Sequence, residues 1–97
     1  MSNFAVIRHY HFNAKDSALI DEKIKEFFVP LIKNSKGFVR YYWLDDGKGE
    51  GASVSIFKTK AEAENSSNLA TEFAGKYFKD VLNQKREVIE GLIVAHD

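Results

Sequence analysis

Two stretches of this 97-residue chain, F-V-R-Y-Y-W-L at 38–44 and V-I-E-G-L-I-V at 88–94, are apolar or aromatic at odd and even positions alike. Successive side chains of a strand point to opposite faces. A strand lying on a half-wet sheet would therefore alternate apolar with polar residues. These two do not, so a fold that uses them as strands must cover both of their faces.

The rest of the chain places them. Residues 4–12 have period two: Phe4, Val6, Tyr10 and Phe12 share one face with Arg8, and Ala5, Ile7, His9 and His11 share the other. Ile20, Ile24, Phe27, Phe28, Leu31 and Ile32 then recur at three and four, which predicts a helix over 17–34. Asp16 or Ser17 would cap it, and Gly37 lies just past its end, able to take a positive φ. The lone proline, Pro30, sits inside it and predicts a kink over 26–29. After the strand at 38–44, D-D-G-K-G-E-G at 45–51 reads as a hairpin connection into a third strand at 52–58. T-K-A-E at 59–62 matches a capping box. The second helix runs to about residue 75, with Ala63, Leu69, Ala70 and Phe73 inward. A short helix over 77–85 and a last strand over 87–96 complete the chain.

The order is β-α-β-β-α-β, without linker, repeat or low-complexity segment, so residues 1–97 are expected to form a single domain. Two right-handed β-α-β units around a hairpin predict an α+β, ferredoxin-like fold. Its four-stranded antiparallel sheet has the order 4-1-3-2, with both helices on one face. Two helices cover only that face. The second apolar face then predicts a homodimer in which two sheets pack into a shared barrel.

Fourteen basic and fourteen acidic residues cancel, and this balance points to neither a nucleic-acid nor a membrane-surface partner. Without cysteine the chain has no disulfide, thiolate or Cys-zinc chemistry. No run approaches the roughly 20 apolar residues of a membrane span. MSNFAVIRHY has no basic segment leading into a long apolar run, so a soluble, cytoplasmic protein is expected.

Arg8 and Arg40 are in phase with large apolar residues. A buried guanidinium needs an anion, a carboxylate or a wet cleft. The two either face an anionic or phenolic ligand, or pair with Asp, Glu or the dimer mate. Tyr10 and Tyr42 share their phase and either orient an aromatic ligand or belong to the core with the hydroxyl satisfied. Asn65, Ser66 and Asn68, near the start of the second helix, line a cleft mouth or face solvent. His9, His11, Val39, Tyr41 and Trp43 fall on the opposite phase and are assigned to the dimer interface. His9 and His11 lie about 7 Å apart along the strand at ~3.3 Å per residue. Two imidazoles fall short of the three or four ligands of a transition-metal site. His96 falls far away, near Phe4. No metal site is therefore expected within one chain, although one shared across a two-fold axis stays open.

K-G-F-V-R-Y-Y at 36–42, S-V-S-I-F-K-T-K-A-E-A at 53–63 and V-I-E-G-L-I-V at 88–94 together carry a resemblance. The chain resembles the antibiotic biosynthesis monooxygenase-like group of the dimeric α+β barrel superfamily over nearly its whole length. The resemblance implies a homodimer, no cofactor, and oxidation of a small aromatic or polyketide-like molecule in a cleft between sheet and helices. A binding or structural protein of the same fold is the alternative. The haem-degrading branch is known for an Asn on the first strand and a Trp and a His on the second helix. Arg8, Ser66 and Lys76 stand at or near those positions, so the resemblance does not extend to haem degradation.

Overall fold

The computed structural model of the chain describes residues 2–79, 81–82 and 87–97. Four strands, β1 (Phe4–His11), β2 (Phe38–Asp45), β3 (Glu50–Phe57) and β4 (Glu87–Leu92), form one antiparallel sheet in the order β2-β3-β1-β4. This is the ferredoxin-like order expected from the sequence. β3 begins two residues earlier than the hairpin composition suggested, at Glu50, and β4 ends at Leu92 rather than at 96. Beyond the second long helix, Val81 and Leu82 donate their N–H groups to the Phe78 carbonyl at 3.1 and 3.0 Å. The rest of the short helix expected over 77–85 falls partly on residues 80 and 83–85, outside the described residues.

The first connection is a helical rod with a wider turn in its middle: α1 (Ser17–Lys23), a π-helical turn over Ile24–Phe28, and α2 (Val29–Lys33). Pro30 accounts for the wider turn. Lacking an N–H, it cannot donate within a continuous helix. The wider turn places it at the second position of α2, where a missing donor is tolerated. Ile20, Ile24, Phe28 and Ile32 remain buried along one side of the rod. The second connection is α3 (Lys60–Tyr77), capped by Thr59, whose hydroxyl accepts from the Glu62 N–H at 3.2 Å and donates to the Glu62 carboxylate at 3.0 Å. Gly37 has φ +80°, and a Cβ there would overlap the Glu62 carboxyl, so the turn into β2 requires glycine.

Both helical connections lie on one face of the sheet. Phe4, Val6, Tyr10, Phe12 and Phe57 are buried there against Ile20, Ile24, Phe28, Ile32, Ala63, Ala70, Phe73 and Phe78. Each large side chain among them contributes about 1.5–3 kcal/mol by leaving water. Among the described residues no element covers the other face. Tyr42, Leu44 and Ile89 remain 53%, 54% and 71% exposed on it, beside Ile7.

Strand β2 departs from its expected phase. Phe38 pairs with Phe57, yet Arg40 pairs with Ile56, the very next residue of β3. Val39 is therefore an extra residue, a β-bulge, and every side chain after it swaps faces. Tyr41 and Trp43, assigned from sequence to the dimer-facing side, pack instead against the helix-side core. Arg40 and Tyr42, expected from sequence on the cleft side, lie exposed on the open face together with Leu44.

Candidate functional site

β1 alternates cleanly, so Arg8 and Tyr10 face the helices. Arg8 is fully buried. Its guanidinium donates from Nη1 to the Ser55 hydroxyl at 3.1 Å and from Nη2 to the hydroxyls of Ser66 and Ser67 at 3.1 and 2.8 Å. Ser55 is on β3 and the other two on α3, so one cation ties both strands to the helix. Ser66 in turn donates to the Ala63 carbonyl at 2.6 Å. The planar fork of arginine suits this split, because its two terminal nitrogens point toward different partners.

Between sheet and helices lies a cavity of about 20 Å³, lined by Tyr10, Tyr41, Trp43 and Ser53 from the sheet and by aromatic and aliphatic side chains, among them Phe28 and Phe73, from the helical side. That is room for one water. A groove of about 340 Å³ adjoins it on the solvent side, bounded by Asp21, Lys25, Val29 and Asp45. Ile24, Tyr41 and Trp43 line both spaces and form the partition between them. The indole of Trp43 lies 5.8 Å from the Tyr10 ring and 6.5 Å from that of Phe12. It also lies across Gly51, where a Cβ would stand 2.7 Å from two indole carbons.

The polar groups around the partition are tuned by burial. Burial pushes the Tyr41 hydroxyl far above the ordinary phenol range. Tyr10 adds to the rise, while the Arg8 cation and a hydrogen bond with Ser53 oppose it. Tyr41 is therefore a neutral proton donor at any physiological pH. Across the groove, Trp43 Nε1 donates to Asp21 Oδ1 at 2.8 Å. Burial raises the Asp21 carboxyl above its ordinary range, the Trp43 bond pulls it down, and the hydrogen bond and charge of Asp45 push it up again. Asp45 is itself held by the Gly47 N–H at 2.8 Å and approached by the Ser17 hydroxyl at 3.4 Å.

Of the cleft residues expected from sequence, the structure brings Arg8 and Tyr10 to the helix-covered face and puts Arg40 and Tyr42 on the opposite one. Asn65 and Asn68 are exposed on α3 and line neither space, whereas Ser66 is buried against Arg8. Of the residues assigned to the dimer interface, His9 and His11 lie on the open face, while Tyr41 and Trp43 line the cleft. Val39 is the bulge. The sequence offered no sign of Asp21, Asp45 or Ser53. The Trp43–Asp21 bond links residues 22 apart and depends on the face swap at Val39.

The fold and cleft together define an antiparallel ferredoxin-like α+β protein with an aromatic pocket between its layers. No protein-family model and no curated protein matches the sequence, and the resemblance lies in solved structures. A candidate antibiotic biosynthesis monooxygenase from Nitrosomonas europaea superposes with a TM-score of 0.80 at 12% identity, covering 95% of this chain and 90% of that one. A monooxygenase from Streptomyces coelicolor, solved with the ligand nanaomycin D, gives 0.78 at 7%, covering 99% and 91%. A dimeric ferredoxin-like protein from an uncultured marine organism gives 0.75 at 17%, covering 100% of both. The chain thus has the fold of the antibiotic biosynthesis monooxygenase-like proteins. Among the described residues no helix is long and apolar enough to cross a membrane.

Proposed function

We propose that this chain is a homodimeric domain that binds a small planar aromatic molecule between sheet and helices and oxidises it with O₂, without a cofactor. The observation that carries the reading is the partition of Tyr41 and Trp43 over a buried cation. An aromatic guest in the outer groove meets an indole face, a neutral phenol donor and, behind them, the Arg8 charge. Such a site favours a phenolate over a phenol. A phenolate is electron-rich enough to pass an electron to O₂. For an anthrone the sum is CH₂ + O₂ → C=O + H₂O: one oxygen atom joins the carbon and the other leaves with its two hydrogens. A solved monooxygenase of the same fold carries nanaomycin D, which supports a polycyclic aromatic substrate class. A drug-sized ligand needs about 300 Å³ or more. The groove offers that volume and the inner cavity does not.

The dimer belongs to the same proposal. Ile7, Tyr42, Leu44 and Ile89 form an apolar patch on the open face, and a second copy of the sheet would cover it. The alternative is a binding protein with no turnover. It is favoured by the tightness of the inner cavity, which has room for one water and none for a reacting ring. Oxygen uptake with a panel of anthrones and quinols, run beside titrations of Trp43 fluorescence, separates the two. Quenching with uptake supports the oxygenase. Quenching without uptake leaves the binding protein, and neither signal refutes the cleft as a ligand site.

A further inference from the structure

The open face holds a cluster that the cleft does not use. His9 and His11 stand two apart on β1 and therefore on one side of the sheet. The register sets Glu50 of β3 directly opposite His11, and Glu87 of β4 directly opposite His9. The two imidazoles, 4.6 Å apart between centroids, are thus flanked by a carboxylate from each neighbouring strand. Glu50 Oε1 is 3.2 Å from His9 Nε2 and 3.5 Å from His11 Nδ1. Glu87 Oε1 is 3.6 Å from His9 Nδ1 and 3.5 Å from His11 Nε2.

These separations are long for charged hydrogen bonds, which run at about 2.7–2.9 Å. They suit neighbouring ligands of one small ion. Bonds of about 2.0–2.1 Å arranged tetrahedrally put ligand atoms roughly 3.3–3.4 Å apart. One ligand atom from each of His9, His11 and Glu50 falls within a 4.8 Å span. Glu87 faces the other nitrogen of each ring, where an outer carboxylate accepts the ring N–H and fixes the tautomer of a metal-bound histidine.

We propose that His9, His11 and Glu50 bind a divalent first-row transition-metal ion, with Glu87 as the carboxylate that orients both imidazoles. Imidazole with a single carboxylate selects zinc, cobalt, nickel or iron over magnesium and calcium, which prefer all-oxygen sets. Three protein ligands leave a coordination position for water or a further group. In the single chain the His9 and His11 side chains are about a third exposed and that of Glu50 about half, so the ion can bind before a second copy covers that face. The site stands on the face opposite Arg8 and Tyr10, so it does not depend on the cleft's activity.

The test uses the full chain, free of any affinity tag and stripped with chelator. Calorimetric titration with Zn²⁺ should show one ion per chain, and Co²⁺ should give the intense visible bands of a low-coordinate site. Mg²⁺ and Ca²⁺ should give neither. Glu87→Gln should weaken Zn²⁺ about 10–100-fold while keeping the stoichiometry, and His11→Ala should weaken it further. Far-UV circular dichroism and Trp43 emission should not change in either variant. If His11→Ala fails to fold, Glu50→Gln, a half-exposed change that retains the side-chain shape, tests the same ligand set. No Zn²⁺ binding up to about 1 mM, binding undiminished in His11→Ala or Glu50→Gln, or equal binding of Ca²⁺ would each reduce the cluster to surface ion pairs and overturn the proposal.

Discussion

Trp43→Phe tests the face on which β2 presents its aromatic residues. The change removes the Nε1–H that donates to Asp21 at 2.8 Å and the outer part of a ring packed near Tyr10 and over Gly51. A hydrogen bond to an ionised acceptor contributes about 1.5–3 kcal/mol, and the lower end applies here because Asp21 is partly exposed. Two ring carbons lost from a half-buried position add about 0.8 kcal/mol, half the value for full burial at ~0.8 kcal/mol each. The chain should therefore lose about 2–3 kcal/mol, out of the roughly 5–15 kcal/mol expected for a domain of this size. In melting temperature that is on the order of 10 °C.

The loss should depend on pH in a defined direction. The Trp43 bond favours the ionised form of Asp21. Its removal therefore costs more as pH rises and that form becomes populated, and less near pH 3, where both proteins hold the proton. Urea denaturation followed by far-UV circular dichroism, at fixed protein concentration and at both pH values, measures the difference. Sedimentation of the same samples supplies the control, because Trp43 in the cleft should leave the oligomeric state unchanged. A variant that dissociates while its chain stability stays within about 0.5 kcal/mol of the parent would return Trp43 to an interface. It would also refute the face swap at Val39.

Asp21→Asn keeps an acceptor for Trp43 and removes the charge. Because burial and Asp45 raise the Asp21 carboxyl in the folded chain, the neutral form's stability is complete below the unfolded value of 3.8 and fades as pH rises through the folded one. The variant should therefore match the parent near pH 3 and exceed it at pH 7, and a larger deficit at pH 7 than at pH 3 would contradict this. Gly51→Ala puts a methyl 2.7 Å from the Trp43 ring and should cost about 1–3 kcal/mol and shift tryptophan emission. In the Trp43→Phe background the same change should cost less, and a strictly additive double variant would argue against the contact. Ile89→Arg, on an exposed position of the open face, should change chain stability by less than about 0.5 kcal/mol yet abolish the dimer in light scattering. A dimer that survives would move the interface elsewhere.

The order of elements was legible because each period is sustained. β1 alternates over eight residues without error, and the 20-24-28-32 series holds its buried side even through the π turn at Pro30. What failed was a single residue of phase. In F-V-R-Y-Y-W-L both alternations are apolar, so hydrophobicity does not say which face is inward, and the bulge at Val39 leaves no mark in composition. Its effect is large because strand periodicity is two: one extra residue sends Arg40 and Tyr42 to the open face and brings Tyr41 and Trp43 to the cleft. The histidine cluster escaped for a related reason. Counting imidazoles along one strand finds two ligands, while the carboxylates beside them come from neighbouring strands at sequence distances of 39 and 78. Glu50 in particular reads as loop, in a glycine-rich hairpin, until pairing begins β3 there. A strand with two occupied faces therefore carries two separable chemistries: odd positions of β1 give the open face its imidazoles, and even positions give the cleft its cation and phenol. Variants at His9 or His11 and at Arg8 or Tyr10 should accordingly separate metal binding from ligand binding within one four-residue stretch.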